Sequence, residues 1–285
     1  MSRRMRTYYY AVLGAIGGLL GWQISNLLGL SFTGNLYVSE MIVGALIGVC
    51  VGSLIVGGEA LVNRTPARAL RTGTLAAGLG LVAGGIGLPL GEMSFQLFGA
   101  GLLGRALGWG VFGVLIGLAE GFSGGSQAWK GALGGALGGV LGGLLLEVAR
   151  QRFDQALFGK AAGMILLGAS VGALIALIVV LLSRAWLEVT SGKLKGAEFI
   201  LDKFGKRSGP SAIVGSDALK ADIVLPDPDI APQHALLSGD GMRFIIKDMS
   251  TSGTYLNARR VERAELYDRS VLRLGNTEMV YHEKR

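Results

Sequence analysis

The side chains that most often do chemistry are scarce in this sequence of 285 residues. It holds two histidines, His234 and His282, and one cysteine, Cys50. Histidine-ligated metal sites and Ser-His-Asp triads need several such groups converging, and here they have almost no raw material. A lone cysteine allows no disulfide within the chain. There is no P-loop, and the glycine runs lack the strand–turn–helix setting of a dinucleotide site. Asp227, Asp229 and Asp240 stand among Gly, Pro and Ser, the company of turn formers rather than metal ligands. An enzyme, a metal and a cofactor are therefore not expected. The chemistry that remains is recognition by hydrogen bonds and charge.

Residues suited to recognition gather between positions 214 and 257. Short β-branched runs at 222–225, 234–237 and 244–247 alternate with clusters of Gly, Pro, Asp and Ser, and a further run follows at 277–282. This is the pattern of short antiparallel strands joined by tight turns. Ser238-Gly239-Asp240-Gly241 between two such runs signals a hairpin loop. Strands this short need a second sheet to pack on, so the region predicts a small β-sandwich.

Four segments carry a family resemblance: Gly215-Ser216, Ala231-Pro232-Gln233-His234-Ala235, Ser250-Thr251-Ser252-Gly253-Thr254 and Leu256-Asn257-Ala258. In order and spacing they resemble the forkhead-associated (FHA) domain, over residues 187–285. That family typically reads phosphothreonine peptides. Its pattern is a Gly-Arg turn, a Ser-x-x-His-Ala step, a Ser-Thr-Asn-Gly-Thr loop and a Val-Asn-Gly turn. The resemblance implies that Gly215, His234, Gly253, Thr254 and Asn257 keep the scaffold, with His234 hydrogen-bonding neighbouring loops. It also implies that the arginine, serine and asparagine contacting phosphate or peptide are replaced here by Ser216, Ala231 and Ser252. Loss of the guanidinium removes a charge-assisted hydrogen bond of about 1.5–3 kcal/mol. Peptide contact is then expected from Ser216, Gln233, Thr251 and Ser252. Lys206, Arg207 and Lys220 are the nearby cations that could compensate for the missing charge, without the bidentate fork of arginine in the case of lysine.

The elements that must position this module lie before it. Half of the chain is apolar (51%), only 16% is charged, and 48 residues are glycine. Six apolar stretches, 9–30, 41–62, 72–93, 103–121, 131–148 and 161–186, have the length and composition of transmembrane helices. Arg3, Arg4 and Arg6 precede the first, and Arg64, Arg68 and Arg71 fill the second loop. Lys130 closes the fourth loop, and Arg184, Lys193 and Lys195 follow the sixth stretch. The first loop has no basic residue, so both termini are expected in the cytoplasm. Arg150, Arg152 and Lys160 in the fifth loop run against this orientation. The net charge of +7 is assigned to orientation and to attraction for membrane lipid, not to nucleic acid, because aromatic interleaving and RNA-type motifs are missing.

Glycines recur with a spacing of four: Gly44 and Gly48, Gly104 and Gly108, Gly113, Gly117 and Gly121, and Gly168 and Gly172. Gly131, Gly135, Gly139 and Gly143 form one line, with Gly134, Gly138 and Gly142 beside it. Such spacing puts the bare backbone on one helix face, where two helices can approach closely in lipid. A basic residue opens each odd helix (Arg6, Arg71, Lys130); Glu59 and Glu120 close the first two even helices, with Arg184 in the third such place. This predicts three copies of a helical hairpin of roughly 60 residues. Polar groups within the stretches are few: Gln23, Ser25 and Asn26 in the first, and Glu92, Gln96 and Arg105 around the third and fourth.

The sequence thus predicts a multidomain membrane protein: a glycine-rich polytopic α-helical domain (1–186), a linker (187–195) and an all-β FHA-like sandwich (196–285). It is expected in a bacterial inner membrane, as an adaptor or scaffold with a cytoplasmic protein or peptide partner, singly or in an oligomer or larger membrane complex. The other class left open is a small channel or transporter regulated by the sandwich. The scarcity of ionisable residues in mid-span counts against it.

Overall fold

The computed structural model describes residues 2–29, 35–62, 66–97, 102–123, 127–153, 155–205 and 209–284. The chain divides into a helical unit, Arg4–Leu61 with Ala69–Leu182, and a second unit built around Ser183–Arg285.

Six helices make the first unit: α1 (Arg3–Leu27), α2 (Leu36–Val62), α3 (Pro66–Leu97), α4 (Leu102–Ser123), α5 (Ala128–Arg152) and α6 (Ala156–Leu181). Among the described residues four stretches are long and apolar enough to cross a membrane: Leu36–Gly58, Ala69–Leu97, Ala128–Arg152 and Leu157–Leu181. The six expected spans are therefore six helices, of which four meet that standard. The arginines and the Gln23, Ser25 and Asn26 of α1 dilute its apolar character, and the apolar part of α4 is the shorter Ala106–Gly121. Pro89 lies inside α3, which continues to Leu97.

Glycine brings neighbouring helices to backbone contact. A Cβ on Gly48 would overlap the carbonyl oxygen of Gly80, joining α2 to α3. Gly113 and Gly135 meet in the same way between α4 and α5, and Gly168 and Gly14 between α6 and α1. The alternate interfaces set glycine against a larger residue: Gly21 on Ile47 between α1 and α2, and Gly138 on Val171 between α5 and α6. Between α3 and α4 Gly91 faces Gly108, so Gly108 lies on a different interface from Gly113 and Gly117 despite their shared spacing. Each helix touches the one before and after it, and α6 returns to α1. On α5 both glycine lines are buried, while Leu133, Leu137 and Leu141 between them are exposed.

Helix α6 ends at Leu181, five residues before the expected boundary, and Trp186 belongs to a strand. Arg184, read as the last residue of a repeat, precedes that strand and is not helical. Among the described residues the second unit has eleven strands: β1 (Ala185–Val189), β2 (Glu198–Ile200), β3 (Ala212–Gly215), β4 (Ile223–Val224), β5 (Ala235–Gly239), β6 (Phe244–Asp248), β7 (Thr254–Leu256), β8 (Arg259–Val261), β9 (Arg263–Leu266), β10 (Val271–Leu274) and β11 (Thr277–Glu283). A single 3₁₀ turn, Asp202–Phe204, follows β2. One sheet has the order β2-β1-β11-β10-β7-β8 and the other β4-β3-β5-β6-β9. Residues 187–189 of the stretch read as a linker lie in β1, which pairs with β11. One pairing departs from the antiparallel expectation, since β3 and β4 run parallel.

Alternation along β1, with Ala185, Leu187 and Val189 inward, shows how period-two patterning fills the sandwich. Leu237, Ile246, Leu266, Leu272, Leu274, Met279 and Tyr281 complete the core between the sheets. The register defines two ends of the sandwich. Ala185 pairs with Glu283 at the end where the chain arrives from α6, the near end. Leu274 pairs with Thr277 and with Thr254 at the opposite, far end.

Candidate functional site

Three loops converge at the far end: the one after β3, the one leading into β5 and the one between β6 and β7. Their mutual placement follows from hydrogen bonds between them. A Cβ on Gly215 would overlap the carbonyl oxygen of Pro232, so only glycine lets the first loop lie on the second. Ser216 donates its N–H to the Ala231 carbonyl (3.0 Å) and its hydroxyl to the Ile230 carbonyl (2.7 Å). The hydroxyl proton expected to serve a ligand is therefore engaged within the protein.

His234 ties the second loop to the third and is fully buried. Its Nδ1 accepts from the Ala231 N–H (3.2 Å), which puts the ring proton on Nε2. Nε2 lies 3.3 Å from the Gly253 carbonyl and 3.1 Å from the Ser250 hydroxyl. Burial lowers the pKa of His234, against the opposing pull of the Gly253 carbonyl and of Asp248 and Asp227. The Ser250 hydroxyl donates to Asp248 Oδ1 (2.9 Å) and accepts from the Gly253 N–H (2.9 Å). Asp248 also receives the Ser250 N–H (3.2 Å) and the Thr254 hydroxyl (2.9 Å). Burial by itself would raise the Asp248 carboxyl, but these donors from Ser250 and Thr254 prevail and hold it below the ordinary value.

Gly253 has φ +86°, a conformation that residues with a Cβ rarely adopt. Its exposed side is covered by Arg260, whose Nε would lie 2.7 Å from a Cβ there and whose Nη2 donates to the Thr251 carbonyl (3.4 Å). Arg260 was not singled out in the sequence. The signal available was its place two residues beyond Ala258, on the strand that returns alongside β7. Asn257 (φ +49°) and Ala258 (φ +65°) form the two-residue turn between β7 and β8. Asn257 clamps it to β10, donating its N–H to Val271 O (2.8 Å) and accepting the Val271 N–H at Oδ1 (2.9 Å).

Gln233, Thr251 and Ser252 are exposed on these loops, with Ala231 half-buried between them and Ser216. Lys220 is exposed beyond the first loop, with Nζ 3.9 Å from the Asp217 carboxylate, which offsets part of its charge. Lys206 and Arg207 lie outside the described residues. The acidic turn residues are structural: Asp227 accepts the Asn276 N–H and the Thr277 hydroxyl. Asp240 caps the β5–β6 hairpin tip. Among the described residues no three His, Cys, Asp or Glu are grouped to hold a metal. Among the described residues the far end is thus a pre-ordered polar surface with the Arg260 guanidinium at its rim, suited to hydrogen-bonding an extended segment rather than to bond-making.

Polar groups that the sequence did not bring together lie inside the helical unit. Arg6 Nη2 donates to Tyr10 Oη (3.2 Å), and Tyr10 Oη donates to Glu120 Oε1 (3.3 Å), linking α1 to α4. Lys130 on α5 is buried and donates to the Leu182 carbonyl (2.8 Å). Gln96 joins Glu92 (3.2 Å) and Tyr37 (3.3 Å).

Residues 212–275 match the FHA domain family. A curated relative is an ABC transporter ATP-binding/permease protein of Mycobacterium tuberculosis, 39% identical over 70 residues. The match covers 24% of this chain and 8% of that relative's length. Among solved structures, the FHA domain of a Chlamydia trachomatis protein is 34% identical over 36% of this chain and 100% of that one, with a TM-score of 0.33. The FhaA FHA domain, crystallised in complex with an intracellular domain of a second protein, is 29% identical over 34% and 99%, with a TM-score of 0.30. The C-terminal unit carries an FHA domain, and the apolar helices that precede it fit a membrane domain.

Proposed function

We propose that this protein is a membrane-anchored adaptor whose FHA domain binds a protein or peptide partner at the cytoplasmic face without depending on phosphate. One observation carries the second half of this reading. The positions that hold phosphate in the family are Ser216, Ala231 and Ser252, and the Ser216 hydroxyl is donated to Ile230 rather than presented outward. Among the described residues of these three loops and their rim, a dianionic phosphate would find one guanidinium, Arg260, with Lys220 partly offset by Asp217, and otherwise neutral donors that give about half the strength of charge-assisted ones. An unphosphorylated segment needs only what Gln233, Thr251, Ser252 and the loop backbone offer. In this reading the glycine contacts between α2 and α3, α4 and α5, and α6 and α1 make the helical unit a closely packed anchor of three related hairpins. The helical unit would also serve as the platform for any oligomer or larger complex.

The test uses the full-length protein in nanodiscs and peptide libraries matched in pairs, threonine against phosphothreonine. Calorimetry is expected to give affinities within about tenfold of one another. A larger preference for phosphothreonine that disappears with Arg260→Gln would overturn phosphate independence. The buried Arg6–Tyr10–Glu120 network favours a second reading, conduction through the helical unit. Selective ion flux in proteoliposomes, lost on Glu120→Gln, would establish it in place of the anchor.

A further inference from the structure

The near end of the sandwich is chemically unlike the far end. Trp186, on the outward face of β1, stacks on His282 (centroids 5.1 Å apart), and Lys284 Nζ lies 5.9 Å from its ring. Lys284 is joined to Arg184 through its backbone N–H (2.7 Å). The β5–β6 hairpin ends at the same level, because Gly239 pairs with Phe244 and the Phe244 ring lies 5.9 Å from that of Tyr281. At its tip the Asp240 carboxylate accepts the N–H groups of Met242 (2.8 Å) and Arg243 (2.7 Å), and Met242 projects 85% exposed. Tyr267, half exposed, is held beside it by Arg243, whose guanidinium is 4.7 Å from the ring. The end thus exposes Met242 and Tyr267, with the half-buried Trp186 ring beside them, among the cations Arg184, Arg243 and Lys284.

We infer that this near end rests in the phospholipid headgroup layer, with Met242, Tyr267 and Trp186 as its contacts. The inference builds on the reading of α6 as a membrane span. The occupant follows from chain length: only Leu182, Ser183 and Arg184 separate α6 from β1. Four residue steps reach at most about 14 Å, so Ala185 stays within that distance of the last helical residue. A headgroup layer is about 5–8 Å thick on each side, which leaves water little room between them. Aromatic rings with a polar edge favour that layer. The carboxylates there do not oppose it strongly: Glu265 pairs with Arg243 (2.6 Å), and Asp268 lies 3.8 Å from Arg269. Asp240 is engaged in its turn, and Glu283 is half-buried. With charge nearly balanced, the contact is apolar and aromatic in character, and zwitterionic lipid suffices. The far-end loops lie a strand length from this end of the sandwich, roughly 16 Å, and serve as the reference position.

The test places a fluorophore on Met242→Cys, Tyr267→Cys or Thr251→Cys in a Cys50→Ala background of the full-length protein. Each variant is reconstituted in phosphatidylcholine nanodiscs carrying a headgroup spin label. Labels at 242 and 267 are expected to be quenched at least about twofold more than the label at 251, reflecting the depth of the headgroup layer. Integral protein in which 242 and 267 are quenched no more than 251 overturns the inference alone. Extraction of the protein from membranes by alkaline carbonate overturns the spanning reading and this inference with it. Quenching at 242 and 267 that requires anionic lipid would overturn the apolar contact in favour of a charge-driven one.

Discussion

Glycine has a different main task in each of the two units. In the helices it is an absence: Gly135 and Gly113 have no side chain, so two backbones meet where any Cβ would overlap a carbonyl oxygen. Water supplies no drive for association within lipid, and close backbone packing takes its place. In the sandwich, burial of Leu237, Leu272 and Tyr281 holds the sheets together, and glycine serves the loops instead. Gly253 adopts φ +86° so that the third loop can turn under Arg260. Buried polar groups divide the same way. Arg6, Tyr10 and Glu120 link two helices, whereas buried His234, with half-buried Asp248 and Ser250, locks the second and third loops together.

The contrast is broken most severely at Gly139, where a Cβ would overlap the Trp109 carbonyl and lie 3.0 Å from Gly110 Cα. Gly139→Leu is expected to lose at least about 3 kcal/mol, the upper part of the range for overpacking, or to prevent folding. Leu137→Ala, on the exposed side of the same helix, should change the thermal midpoint in detergent little. Equal midpoints for both variants would show that the glycine line is not a packing seam.

His234→Ala removes the bridge between the second and third loops and leaves the Ala231 N–H unsatisfied. A loss of about 2–4 kcal/mol in the second unit is expected, with the helical unit unaffected. Because burial lowers the native pKa of His234, the unfolded chain binds its proton first as pH falls. The stabilisation is full above about pH 6.5 and is lost progressively below it, towards the lowered native value. Asp248 acts in the same direction at lower pH: its depressed native pKa contributes stability above the ordinary carboxylate range that is lost as pH falls through it. Chemical denaturation between about pH 2 and 8 reads both, and a slope near pH 6 that persists in His234→Ala would assign it to another group.

Restoring the family's grip sharpens the functional half of the contrast. Ser216→Arg with Ala231→Ser should create a phosphothreonine preference of at least about tenfold, or 1.4 kcal/mol, in the matched peptide assay. The same affinity for both peptides in that variant would mean that loop shape, not the missing charges, sets the ligand. The smallest change expected is a gain. Ala258 sits at φ +65°, where the family pattern has glycine, and Ala258→Gly should raise stability by about 1 kcal/mol.

Membrane-type helices and a β-sandwich were legible in the residues themselves because their signals are local: apolar length for the first, alternation and turn chemistry for the second. The glycine lines announced which helix faces would be bare. They did not say which helices would meet, so Gly108 and Gly113 looked equivalent until Gly91 and Gly135 were found opposite them. Trp186 and Leu187 extend an apolar run in the sequence, and only pairing with β11 makes them a strand. At the far end, the types at 216, 231 and 252 followed from the sequence alone, as did the charge missing from those three positions. Where the Ser216 hydroxyl points, that Arg260 covers Gly253, and that Arg6 meets Glu120 all depend on atoms brought together from distant parts of the chain. Such contacts arise from tertiary packing, and no local pattern encodes them.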